Sequence, residues 1–191
     1  VWLLLACRGA LVADEVDRLT FDSASLADTD GPTAPAEPVV PLDGPPPIPE
    51  IAIANLLPGQ LARVTVAPVR AGARVRIAFG DGEGDTCVAS GLCFDIAAPL
   101  RQIAEGVAGD EGYAELFVTV PPDALGGRVV RVQALVDDEA GPVLSTGFDR
   151  RIGPSACGQT YKAVCGWDGS TWSNRCAAAY EGWVTRWDGP C

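Results

Sequence analysis

Between residues 50 and 151 apolar and polar residues alternate in short runs. Leu61, Val64 and Val66 form one set, Val75, Ile77 and Phe79 a second, Leu116, Val118 and Val120 a third, and Val130, Val132, Ala134 and Val136 a fourth. A period of two predicts strands with one buried face. Turn residues separate the runs: Leu-Pro-Gly at 57–59, Arg-Ala-Gly at 70–72, Gly80-Asp81-Gly82, the segment from Gly109 to Gly112, and Leu125-Gly126-Gly127. About seven or eight short strands at this spacing predict a β-sandwich, and no helix-period pattern interrupts them. After residue 151 the pattern changes. Ser173 or Asn174 can cap a helix through Arg175 to Tyr180 that Gly182 ends. The alternating run Trp183 to Trp187 predicts a short strand, and a turn from Gly166 to Gly169 leads into a partner strand at Ser170-Thr171-Trp172. The expectation is a short helix on a small hairpin.

Upstream, residues 8–49 have neither period. From Arg8 to Glu50 there are nine acidic and two basic residues, and residues 30–49 are dominated by Pro, Ala, Gly and Asp. So many prolines cannot feed a helix or a sheet ladder, so a disordered, extended, Pro-rich linker is expected there. The net charge of the chain is −11. Most of that negative charge lies before residue 151, and the few lysines and arginines after it are scattered, so no basic patch for nucleic acid exists. The sequence contains no histidine, which excludes Ser-His-Asp and Cys-His catalysis and argues against an enzyme. The acidic stretch Asp81 to Asp85 reads as a solvated turn, because it lacks the twelve-residue loop and closing glutamate of a calcium site. No cofactor or metal is expected.

Seven cysteines remain to be explained. Cys87 and Cys93 bracket a five-residue loop that a disulfide can close. Cys157, Cys165, Cys176 and Cys191 are separated by seven, ten and fourteen residues. Without histidine, and without the close C-x₂₋₄-C knuckle of structural zinc sites, disulfides are the expected use. Cys7 stands alone in Leu4-Leu5-Ala6-Cys7, which resembles the lipobox at the end of a bacterial lipoprotein signal. The resemblance implies a truncated signal over residues 1–7, lipidation of Cys7, and a location outside the cytoplasm, either at the outer membrane or cell surface or secreted. Membrane contact is then expected only through that anchor, because no stretch approaches the roughly 20 apolar residues that span a bilayer.

Residues 155–191 resemble a Kazal-type serine protease inhibitor domain. The resemblance is carried by the ordered set Cys-x₇-Cys-x₁₀-Cys with Tyr161, Val164-Cys165-Gly166, Asp168-Gly169, Thr171-Trp172, Asn174 two residues before Cys176, and Gly189-Pro190-Cys191. Such domains usually carry six cysteines. By position the first falls at Ser155 and the fifth at Tyr180, which are partners in the family, so one bridge is missing as a unit. The resemblance implies that the remaining four pair as Cys157–Cys176 and Cys165–Cys191. It also implies a substrate-like binding loop of Gly158, Gln159, Thr160, Tyr161 and Lys162, a reactive bond between Gln159 and Thr160, and loop support from Asn174. The sequence departs from the family at Gly158 and at Ala163, which replaces a usual proline, and both changes soften the loop.

The fold class expected is therefore mainly β: an immunoglobulin-like β-sandwich at 50–151 followed by a small disulfide-stapled α+β Kazal-like domain at 152–191. The function implied is inhibition of a serine protease, subtilisin-like or otherwise tolerant of glutamine. The alternative is a non-inhibitory module of a surface lipoprotein that binds another extracellular protein or serves structurally. Of the tail tryptophans, Trp172 and Trp183 are expected to fill the small core, while Trp167 and Trp187 sit at turns, where exposure would suggest a contact surface.

Overall fold

The computed structural model describes residues 47–191, and in it the alternating runs become the facing sides of two antiparallel sheets. In chain order the strands up to residue 151 are β1 (Glu50–Ile53), β2 (Leu61–Ala67), β3 (Arg74–Gly80), β4 (Thr86–Cys87), β5 (Cys93–Phe94), β6 (Arg101–Val107), β7 (Ala114–Thr119), β8 (Val129–Asp138), β9 (Gly141–Leu144) and β10 (Phe148–Arg151). Beyond them lie β11 (Val164–Gly166), β12 (Thr171–Trp172), the helix α1 (Arg175–Tyr180) and β13 (Thr185–Asp188). Cys7, the signal expected at 1–7 and all of the linker expected at 8–49 except its last three residues lie outside the described residues.

The first sheet has the order β1-β2-β7, and the second runs β10-β8-β3-β6 with β9 also on β8. Between them Ile53, Val64, Val66, Val75, Ile77, Leu116, Val132 and Val136 form one apolar cluster. Strands β9 and β10 share one edge of β8. Leu135 faces Leu144 and Val132 faces Phe148, so three residues on one side oppose two on the other. The surplus is a bulge at 145–147. Ser145 satisfies the ladder there: its hydroxyl accepts from the Ala134 N–H at 2.9 Å, and its carbonyl accepts from the Gln133 side chain at 2.7 Å. Gln133 also accepts from the Asp95 N–H at 2.9 Å, which explains a buried amide in an apolar strand.

The Cys87–Cys93 disulfide closes the β4–β5 hairpin. Phe94 and Ile96 from its return arm pack on Ala78 and Leu135, on the second sheet's outer side. Asp81 pairs with Arg128, so the acidic turn is used in an exposed ion pair. Among the described residues the one cysteine-acid grouping, Asp85 with Cys87 and Cys93, has both sulfurs in that disulfide.

Two expectations need correction. Strand β6 was absent from the alternating runs, because its pattern is carried by Ile103, Ala104 and Gly106 between charged or polar neighbours at an edge. The small hairpin is instead a three-stranded sheet, β12-β11-β13, whose central strand is the buried Val164-Cys165-Gly166.

Strand β2 departs most from its pattern. Ala62, Val64 and Val66 face the core, and on the other face Thr65 and Ala67 are just as inaccessible. That outer face is covered by the last segment of the chain. Val184 packs on Ala52 and Ala67, with Trp167, Ala179 and Tyr113 around them. At the centre the Thr65 hydroxyl donates to the Gly182 carbonyl at 2.7 Å and accepts from the Val184 N–H at 3.1 Å. Removing that hydroxyl strands two buried backbone groups. Thr65→Val is expected to lower the unfolding free energy by about 2–4 kcal/mol, and Thr65→Ser, which keeps the hydroxyl, by about 1 kcal/mol. Urea denaturation of the full chain followed by tryptophan fluorescence measures both.

Candidate functional site

Residues 158–162 form an exposed loop, and its direct supports come from the neighbouring helix and its cap. At its start the Cys157–Cys176 disulfide ties the chain to the first turn of α1, with Cα atoms 5.6 Å apart. At its end the Lys162 N–H donates to the Ser173 carbonyl at 2.8 Å. Between these points Asn174 does two things at once. Its backbone is extended and its Oδ1 accepts from the Ala177 N–H at 2.9 Å, which caps the helix. Its Nδ2 donates to the carbonyls of Gly158 at 3.3 Å and Thr160 at 2.9 Å, on either side of Gln159. The loop is therefore held by its backbone and its side chains are left free. Tyr161 is 75% exposed.

Electrostatics fix the far flank. Asp188 lies 3.1 Å from Arg175 and 3.6 Å from Lys162, which bridges β13 to the helix and to the loop's last residue. The hydrogen bond from Arg175, then its charge and that of Lys162, hold the Asp188 carboxyl below its usual range. These groups are exposed, so the network orients side chains more than it stabilises the fold.

The second disulfide, Cys165–Cys191, joins β11 to the end of the chain. The fully buried side chains of this segment are Val164, Cys165, Ala178 and Val184. Here the tryptophan expectation fails. Trp172 and Trp183 are only half-buried. Trp183 meets Tyr113 edge-on at 5.6 Å between centroids, with the Arg63 guanidinium 4.9 Å from its ring. Trp167 is half-buried against the first sheet, and a Cβ at Gly112 would come within 3.0 Å of its ring. Of the four only Trp187 is exposed, at 43%, and the Arg186 guanidinium lies 5.0 Å from the Trp167 ring and 4.9 Å from the Trp187 ring. A 35-residue segment has too little interior for four indoles, so two of them lean on the neighbouring sheet.

Several residues that hold this site lie outside the segment that suggested it. Ser155 donates from its hydroxyl to Asn55 Oδ1 at 2.7 Å and from its N–H at 3.4 Å. Gly182 has φ +81°, as expected of a helix terminator, and it also sits where a Cβ would lie 2.8 Å from the Arg63 carbonyl oxygen. Asn55, Arg63 and Thr65 carry no sequence signal for this role, since they belong to another run and another turn.

The loop is thus exposed, with its backbone clamped by a disulfide at one end and by the Asn174 amide within. Residues 146–182 match the family model of the Kazal-type serine protease inhibitor domain. The chain thus carries a Kazal-type domain, with the Cys157–Cys176 bridge inside the matched residues. The match begins before β10 and stops at Gly182, whereas β13 and Cys191 close the same small sheet through β11. No curated protein and no solved structure matches the chain. Domains of this family are non-catalytic inhibitors of serine proteases.

Two outcomes are expected. Asn174→Asp keeps the capping oxygen and loses the donor to the loop, so the helix and the unfolding midpoint hold while cleavage within 158–162 by added subtilisin accelerates, about tenfold for the loss of the two amide bonds to the loop carbonyls. Mass spectrometry of the digest locates and times that cut. For Asp188, a lowered carboxyl pKa means that its tether to Lys162 and Arg175 is complete above the ordinary carboxylate range and is lost as pH falls through the depressed value. NMR shifts of Lys162 and Arg175 should follow that acid transition, and Asp188→Asn should abolish it.

Proposed function

We propose that the chain inhibits a serine protease by presenting residues 158–162 as a substrate-like strand, with the reactive bond between Gln159 and Thr160. The observation that carries this reading is the Asn174 amide, which donates to carbonyls on both sides of that bond. A protease cleft accepts an extended peptide, and a loop already held in shape loses little entropy on binding. If the bond is cut, Cys157–Cys176 and the Lys162 bond to Ser173 keep both new ends close, which favours resealing. Gln159 has neither the cation of a trypsin-type ligand nor a large apolar surface, so the target is a subtilisin-like or otherwise tolerant protease.

The setting of this loop is part of the same reading. Residues 50–151 are read as an immunoglobulin-like β-sandwich domain and 152–191 as the Kazal-like domain. Three disulfides suit an oxidising compartment outside the cytoplasm, and Cys7 is read as the site of a lipid anchor behind the Pro-rich linker. A second reading, a non-inhibitory module that binds another extracellular protein, is favoured by one observation: Gly158 has open space where a side chain would sit, so no side-chain packing stiffens the residue before Gln159.

Titration of the full chain against subtilisin-like, elastase-like and trypsin-like enzymes separates the two. A tight complex with a glutamine-tolerant enzyme is expected, and Gln159→Arg should move inhibition toward the trypsin-like one. Turnover at Gln159–Thr160 with no lasting complex for any enzyme would sink the inhibitory reading.

A further inference from the structure

The bridge that the Kazal resemblance leaves out would join residues 155 and 180, and the structure shows what holds those two places instead. Ser155 and Tyr180 border the same shallow concavity, with Cys157 and Trp172 beside them. Neither closes it on the other. Ser155 turns to the first sheet and donates to Asn55 Oδ1 through its hydroxyl and its N–H, at 2.7 and 3.4 Å. Immediately after Tyr180, the Glu181 carbonyl accepts from Arg63 Nη1 at 3.4 Å and the Gly182 carbonyl accepts from Thr65 at 2.7 Å. Gly182 also lies so close that an added Cβ would sit 2.8 Å from the Arg63 oxygen and 3.0 Å from the Ala54 nitrogen.

Both groups of anchors belong to one rigid piece. β1 pairs with β2, and beyond the last strand residue the Ala54 N–H still donates to the Arg63 carbonyl at 2.9 Å. Asn55 follows Ala54 directly. The two ends of the missing crosslink are thus each fastened to a β1–β2 hairpin that cannot itself open, because Ile53, Val64 and Val66 are in the main core.

We propose that the β1–β2 hairpin serves as the missing crosslink and that Asn55 is a positioning residue for the binding loop, acting through Ser155 two residues before Cys157. The inference rests on reading 158–162 as that loop. It makes the inhibitory unit larger than the matched segment: the loop is shaped by the β-sandwich as well as by its own disulfides. The geometry also distinguishes the donor from the acceptor. Asn55 serves through Oδ1, so aspartate at 55 retains what the loop needs and alanine does not.

The test uses the full chain as wild type, Asn55→Ala, Asn55→Asp, and Asn55→Ala combined with Ser155→Cys and Tyr180→Cys. Amide hydrogen exchange across 155–162 is read beside that of β3 and β8. Asn55→Ala should raise loop exchange about five- to tenfold, the loss of one to two part-buried hydrogen bonds, with β3 and β8 unchanged. Asn55→Asp should match wild type, and the added bridge, seen by non-reducing mass mapping, should restore protection to the alanine variant. Loop exchange unmoved by Asn55→Ala would overturn the proposal. So would a rise shared equally by β3 and β8, an aspartate variant as loose as the alanine one, or failure of the two new cysteines to bridge. None of these readouts requires a protease. If they hold while the protease titration yields no complex, the hairpin's role stands and only the inhibitory reading falls.

Discussion

Thr65 occupies a position that a two-sided sheet would normally leave wet, and burying it obliges everything above it to fit. Its neighbours on that face are Ala52 and Ala67, side chains too small to keep another backbone away. The chain after α1 comes down onto this floor as Gly182 and Val184, with the Thr65 hydroxyl satisfying one carbonyl and one N–H that are shut off from water. A buried polar group without a partner is costly, whereas a paired one fixes register as well as energy. The terminal segment therefore has one seat. The loop at 158–162, carried by the same segment, inherits its placement from that seat.

Asn174 shows how a very short helix is made useful. α1 has six residues, far below the length at which a helix is stable alone. Its formation depends on the cap, on Cys157–Cys176, and on Ala178 and Ala179 packing inward. Because the capping side chain also holds the loop carbonyls, helix and loop order together. The exposed Asp188 network adds direction at the other flank with little stabilisation of its own.

The strands with strong β-branched alternation, β2, β3, β7 and β8, were legible because each has one face in the main core, and the cap at Asn174 and the stop at Gly182 were legible because they are local chemistry. Strand β6 was not, since an edge strand needs few apolar residues, and Phe148-Asp149-Arg150-Arg151 hides β10 in the same way. The tryptophans were misassigned for a different reason. Counting them inside a domain of about 40 residues presumes that the domain buries its own aromatics, whereas Trp167 and Trp183 are half-covered by contact with Tyr113, Arg63 and the Ala52–Ala67 floor. Alternation along β2 says that one face is buried; it says nothing of what lands on the other.

A disulfide and a docked surface restrain a loop by different physics. The crosslink acts chiefly by limiting the unfolded chain and works whatever the neighbours do. Docking acts only in the folded state and makes the order of one part conditional on the other. With Ser155 held by Asn55, and Gly182 held by Thr65, the terminal segment cannot loosen without giving up bonds to the β1–β2 hairpin. Softening at Gly158 is therefore confined between Cys157 and Lys162, bonded to Ser173, and softening at Ala163 is limited by its carbonyl's bond from the Gly189 N–H and by buried Val164 after it. What flexibility remains is concentrated at the residue before Gln159, where it bears on how a partner's cleft is met and not on whether the fold holds.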